Sequence, residues 1–195
     1  MGLLLAGLSG AVAGSAHVVS GPDHLAAVMP LAVEKRWTGA VTGAVWGLGH
    51  AMGVLALGIA GHALRGWLDI DTMSAWAELS VGGLLIVLGG WTLWRANRPA
   101  PHQHGHSHGS AFGIGLLHGT AGAGHLFGVL PTLGMDSGPA AVYLATYMVA
   151  AVGSMSLFAL GIGLVARNRR HVPWALRAAG VAAIGVGIGW VATAV

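Results

Sequence analysis

The chain alternates long apolar runs with short polar breaks, and six runs approach the roughly 20 residues that a helix needs to cross a bilayer. They cover residues 2 to 20, 38 to 63, 73 to 95, 111 to 133, 139 to 166 and 173 to 194. The breaks are LAAVMPLAVEKRW, RGWLDIDT, RANRPAPHQHGHSHGS, GMDSG and RNRRHVP. Assigning them to alternate sides places Lys35, Arg36, Arg95, Arg98, Arg167, Arg169 and Arg170 on one face, and Arg65 with Asp69, Asp71 and Asp136 on the other. Basic loops are retained in the cytoplasm, so the pattern predicts both termini outside and the histidine-rich break inside. Trp37, Trp67, Trp91, Trp94 and Trp174 fall near predicted helix ends, where indole rings anchor at the interface; Trp46 and Trp190 fit that role less well.

Shifting the sequence by 101 residues lays GSAHVVSGPDHLAAVMP (14 to 30) over GLLHGTAGAGHLFGVLP (115 to 131) without a gap. Gly14, His17, Gly21, His24, Leu25, Val28 and Pro30 recur as Gly115, His118, Gly122, His125, Leu126, Val129 and Pro131. Glycine and leucine matches are cheap in an apolar chain, whereas two histidines and a proline in register are not. A weaker match follows, with ALGI at 56 to 59 recurring at 159 to 162 and Met52 over Met155. Each copy holds three predicted helices, an odd number, so the second copy enters the membrane from the opposite side. The expectation is an all-α membrane protein of six transmembrane helices, arranged as two inverted three-helix repeats whose first helices are broken. Residues 1 to 95 form the first repeat, 96 to 110 a histidine-rich cytoplasmic linker and 111 to 195 the second repeat.

Composition supports the membrane setting: 55% of residues are hydrophobic and 8% charged, with 34 glycines, and the mean hydropathy is +0.73. A soluble domain carries about 25% charged residues. The pI is near 10.2, yet the net charge is only +3 and the basic residues lie in short clusters between apolar runs. That distribution orients a membrane protein and does not make a nucleic-acid surface. Cysteine is absent, which excludes disulfides, thiolate metal sites and thiol transfer. The first apolar run lacks a basic leader and continues into His17 and Asp23, so it reads as mature structure and not as a signal peptide. No GxxxxGK[ST] motif for nucleotide hydrolysis is present.

The stretch HVVSGPDH, residues 17 to 24, is costly in such a setting. An ionised aspartate near the bilayer centre costs about 2.5 to 3.5 kcal/mol on insertion scales, and intramembrane ionisable groups mark functional sites. His17 and His24 lie seven residues apart, about 10 Å along a regular helix and too far for one ion. Gly21 and Pro22 allow the chain to unwind between them, bringing both imidazoles and Asp23 toward one point. Asp23 could also cap a half-helix that begins at His24. In the second copy Gly119, Gly122 and Gly124 give comparable freedom between His118 and His125, without a carboxylate. His50, within WGLGHAMG, has no counterpart in the second copy, and alone it could equally serve to hydrogen-bond a neighbouring helix. The candidate metal ligands are therefore His17, Asp23, His24, His50, His118 and His125. Neutral imidazoles with one carboxylate suit nickel, cobalt, zinc or iron(II), whereas calcium or magnesium would call for more oxygens. His102, His104, His106 and His108 alternate in the linker as a secondary chelating or sensing tract.

HVVSGPDHLAAV together with WGLGHAMGV resembles the nickel/cobalt transporter superfamily, and most closely its compact six-helix members, the urease-accessory-type membrane proteins. The resemblance implies that the motif binds transported Ni2+ or Co2+. In the larger permeases a histidine, four residues and then Asp-His form the hallmark; here Asp23-His24 matches its end and His17 stands five residues before Asp23. The longer eight-helix layout is missing, and a histidine-rich loop between the halves is similar to that of exporters in the same superfamily, which leaves the direction of flux open. The expected activity is secondary transport of a divalent transition metal ion, nickel or cobalt first and zinc or iron(II) next, through a His/Asp site between the repeats, with protons as the coupling ion. No prosthetic group and no enzymatic activity are expected. The expected partners are the metal ion, the lipid bilayer of a bacterial or archaeal inner membrane, and a metallochaperone or urease-maturation protein. The alternatives are a membrane metal sensor or metallocentre-maturation partner that does not transport and, further off, an intramembrane metal-dependent hydrolase, for which no HExxH motif is present.

Overall fold

The computed structural model describes residues 2–33, 38–64, 70–97, 108–120, 128, 130–166, 168 and 170–194. Within them lie seven α-helices: α1 (Leu3–Ser20), α2 (Pro22–Val33), α3 (Gly39–Leu64), α4 (Ile70–Ala96), α5 (His108–Thr120), α6 (Ser137–Val165) and α7 (Val172–Ala194), with a 3-10 helix over Leu130–Gly134 before α6. Five contain a stretch long and apolar enough to cross a membrane: Leu3–Ser20, Gly39–Ala56, Glu78–Ala96, Ser137–Val165 and Val172–Thr193. Large apolar side chains on their outer faces, among them Leu4, Val12, Val87, Val149, Leu157 and Val181, are exposed. A surface of that kind suits lipid and not water. The chain is an all-α membrane protein.

The apolar run from 111 to 133 is not one continuous α-helix: α5 covers 13 residues, about 20 Å against a hydrocarbon core of about 30 Å, and the chain is in a 3-10 helix by Leu130. α5 starts at His108, so the last histidine of the alternating tract belongs to a helix. One expectation is revised, that LAAVMPLAVEKRW is a break between spans. Most of it is α2, whose Ala26, Ala27, Val28, Leu31, Ala32 and Val33 are buried. A 12-residue helix is too short to span, and irregular ends are tolerated at membrane depth only where protein surrounds them; α2 lies against α3, α4, α6 and α7.

The break between α1 and α2 follows from two residues. Pro22 disfavours helical backbone at the residue before it, and Gly21 is extended, with φ −87° and ψ 97°. Proline is well suited to the first position of the next helix, where its missing N–H would have had no helical partner. The Gly21 carbonyl then accepts from the amides of His24 (3.1 Å) and Leu25 (3.3 Å) and starts α2. The helix thus begins one residue before Asp23, whose side chain is left for other work.

Glycines set the helix pairing. Gly10 and Gly14 of α1 abut the backbone carbonyls of Tyr143 and Tyr147 on α6, while Gly115 and Gly119 of α5 abut those of Trp46 and His50 on α3; none of the four has room for a Cβ. Small residues allow this approach, and close van der Waals contact is what associates helices in lipid. The positions rise together along both partners, so α1 runs parallel to α6 and α5 parallel to α3. By contrast α3 and α6 are antiparallel, with Gly39 facing Ala159, Gly43 facing Met155 and Gly47 facing Val152. The remaining pair, α4 and α7, is also antiparallel: Gly82 meets Gly187 and Gly89 meets Gly180.

Candidate metal centre

At the α1–α2 break the chain turns back on itself. His17 lies in the last turn of α1, and Asp23 and His24 lie in the first turn of α2. A methyl group at Gly21 would strike Nδ1 of His24 and crowd the Asp23 carboxylate, so glycine is required for the imidazole to fold over the break. The ring centroids of His17 and His24 are 4.6 Å apart, where a continuous helix would hold the two residues about 10 Å apart along its axis.

Two further helices complete the cluster. His50 of α3 brings its ring to 4.8 Å from His24 and 5.8 Å from His17, and His118, in the last turn of α5, stands 5.0 Å from His24 and 5.8 Å from His50. His24 is thus the common neighbour of the other three imidazoles. Asp23 spans two of them: Oδ2 accepts a hydrogen bond from Nε2 of His118 at 3.0 Å, given the proton on that nitrogen, and Oδ1 is 3.2 Å from Nδ1 of His24. Asp23, His24, His50 and His118 are buried, whereas His17 is partly exposed.

The donor atoms form two overlapping triads, His17 with His24 and His50, and Asp23 with His24 and His118, each within 4.8 Å. Ligands on a tetrahedral ion at about 2.0 to 2.2 Å stand about 3.4 Å apart. Small ring rotations therefore suffice for either triad to close on an ion. Four nitrogens, one carboxylate and no sulfur form a donor set for a first-row divalent metal.

Of the six ligands expected from sequence, five converge: His17, Asp23, His24, His50 and His118. His125 lies outside the described residues, as do His102, His104 and His106; His108 opens α5, and its side chain is not described. The expected cap role of Asp23 is corrected: the helix starts earlier, at Pro22, with the Gly21 carbonyl at its head, and the carboxylate turns to the histidines. His50, ambiguous by sequence, sits inside the cluster.

Two aromatic residues at the site were missed. Trp46, one turn before His50 on α3, is fully buried, with its ring nearly parallel to His50 (5.3 Å, 6°) and 5.3 Å from His118. Tyr147 of α6 places its ring 5.8 Å from His17. The 101-residue shift that relates the histidines carries Trp46 onto Tyr147, so the signal was present in the sequence, masked by the mismatch of residue type.

The fold and the cluster together define an all-helical membrane protein with a buried histidine–aspartate centre suited to a metal cation. Comparison with known proteins adds two relatives, both from Arabidopsis thaliana. The chain is 30% identical to the chloroplast protein FOR GROWTH AND FERTILITY 2 over an alignment of 211 positions, covering 95% of the chain and 56% of that protein. To the chloroplast protein FOR GROWTH AND FERTILITY 1 it is 28% identical over 220 positions, covering 96% of the chain and 59% of that protein. The chain therefore spans a little over half the length of the curated relatives it matches. No known family model and no solved structure matches it.

Proposed function

We propose that the protein is a secondary transporter of a divalent transition metal ion, nickel or cobalt first, with the His/Asp centre as its substrate site. The observation that carries this reading is the convergence of Asp23, His24 and His118 with His17 and His50 from four helices of an otherwise apolar bundle. Ionisable groups held at that depth require a task, and cation passage supplies one. The nickel/cobalt transporter resemblance of HVVSGPDHLAAV and WGLGHAMGV gives the same ion class. Neutral imidazoles and one carboxylate replace part of the ion's hydration shell; because protons compete for the same nitrogens, a proton gradient can drive the cycle.

An inverted repeat, each half opening on a short helix that carries a site histidine and continuing in two long helices, is the architecture we assign. Its support is the exchange of partners: Gly14 against the Tyr147 carbonyl becomes, 101 residues on, Gly115 against the Trp46 carbonyl. The α4–α7 contacts close on themselves similarly, since a shift of 98 turns Gly82 facing Gly187 into Gly180 facing Gly89. In such carriers alternating access comes from one repeat rocking against the other about a site near the midplane. The α1–α6 and α3–α5 pairs are the rigid bodies this motion would use. The host membrane is a bacterial or archaeal inner membrane or, in line with the names of the plant relatives, a chloroplast membrane.

The test is uptake of radiolabelled Ni2+ or Co2+ by proteoliposomes holding the purified chain. Saturable uptake that Asp23→Asn abolishes is expected. Tight binding without flux in the wild type would replace the carrier with a sensor or maturation partner.

A further inference from the structure

The five donors do not form one shell; they form two triads that share a single ring. His17, His24 and His50 make an imidazole-only set with an open edge, because His17 is partly exposed. Asp23, His24 and His118 make a set containing the carboxylate, and its members are 3%, 2% and 0% exposed. His24 stands nearly perpendicular to its neighbours in both, at 75° to His17, 80° to His50 and 67° to His118. Two dications this close, facing one carboxylate, would repel strongly in a low-dielectric interior. The cluster therefore suits one ion with two addresses.

We propose that the centre is a two-station relay in which His24 hands the ion from an outer station, His17 and His50, to an inner station, Asp23 and His118. This rests on the transport reading for its purpose, though not for its chemistry. Capture by imidazoles at the exposed edge removes part of the hydration shell. As His24 turns with the ion, the proton that His118 Nε2 shared with Asp23 is released to water, as metal binding to an imidazole requires, and Nε2 and the carboxylate both become ligands. The ion keeps at least one protein ligand throughout, and the carboxylate draws it inward by charge. Trp46, parallel to His50 and beside His118, shields the inner station. Its buried Nε1 meets no acceptor among the described residues and is available to a water that the ion retains.

Co2+ titration of the full chain in detergent, read by its d–d absorption and by stopped-flow loading, tests the relay. The wild type binds one Co2+ per chain. Asp23→Asn and His118→Gln alter the end spectrum in the same way, leaving the ion on imidazoles. His17→Gln and His50→Gln instead slow loading by about tenfold or more, the scale on which supporting ligands perturb metal sites, and keep the carboxylate-type end spectrum. Two ions per chain at saturation, or a common end spectrum for all four variants, overturns the relay in favour of two sites or one shared shell. Circular dichroism confirms that each variant is folded, and His17 and His50 serve as independent tests of the outer station. Proteoliposome flux on the same preparations keeps the two readings apart. Staged loading without flux ends the carrier reading and retains the relay, while flux with two-ion occupancy does the reverse.

Discussion

The two matching segments, 14 to 30 and 115 to 131, share a residue pattern and contribute differently to the cluster. The first breaks at Gly21-Pro22, folds back and supplies three of the clustered side chains, His17, Asp23 and His24. In the second, the positions matching Pro22 and Asp23 are Ala123 and Gly124, and among the described residues its contribution is His118 alone. The same asymmetry extends to the following helices, where His50 corresponds to Ala151 and Trp46 to Tyr147. The glycine contacts kept their symmetry while the ligands lost theirs. Helix packing thus follows the 101-residue shift, while the clustered side chains come mostly from the first half.

The sharpest way to break this comparison is to remove the charge that only the first segment carries. Asp23→Asn is expected to lower metal affinity by about 100-fold and abolish uptake, while His118→Gln, acting from the second segment, lowers affinity by about 10-fold to 100-fold. Isothermal titration with Ni2+ and proteoliposome uptake measure both, and a His118 variant more damaging than the Asp23 variant would reverse the assigned hierarchy. Acidification comes next. Protonated imidazoles cannot ligate, so uptake driven by the metal gradient alone should fall as the medium is acidified; uptake that acidification leaves unchanged contradicts imidazole ligation. The shared scaffold predicts equal effects in the two halves. Gly14→Ala and Gly115→Ala push a methyl into equivalent carbonyls and should each cost about 1 to 3 kcal/mol, read by thermal unfolding in detergent. Unequal losses would show that helix contacts diverged together with the ligands. The smallest effect belongs to the linker: replacing His102, His104, His106 and His108 by serine should change flux at saturating metal by less than about twofold, since a chelating histidine tract buffers supply and need not line the path.

Much of this was legible beforehand because lipid imposes simple rules. Runs of about 20 apolar residues in a chain with so few charges predict membrane helices, and α1, α3, α4, α6 and α7 follow them to within a few residues. The break at Gly21-Pro22 was equally readable, since proline acts on the backbone regardless of surroundings. A half-helix after that break was expected, but not that Pro22–Val33 is buried among its neighbours. Hydropathy cannot distinguish a polar-ended connection from a short helix buried among its neighbours, because both are apolar and both are brief. Over 111 to 133 the apolar character is likewise continuous, yet by Leu130 the chain is a 3-10 helix. His50 shows the limit at the site: without a counterpart in the repeat it was ambiguous by spacing, and only the close approach of α5 to α3 at Gly119 placed it beside His118.

By itself the order of residues determined that the chain is helical and membrane-embedded, that the pattern of 14 to 30 recurs at 115 to 131, and that histidines with one aspartate interrupt the apolar runs, because solvation, periodicity and backbone chemistry are local properties. The tertiary structure alone decided that rings from four helices meet around His24, that Asp23 links His24 to His118, and that Trp46 walls them in. Convergence depends on which glycines let which backbones touch, and that is a property of pairs of helices which no single segment carries.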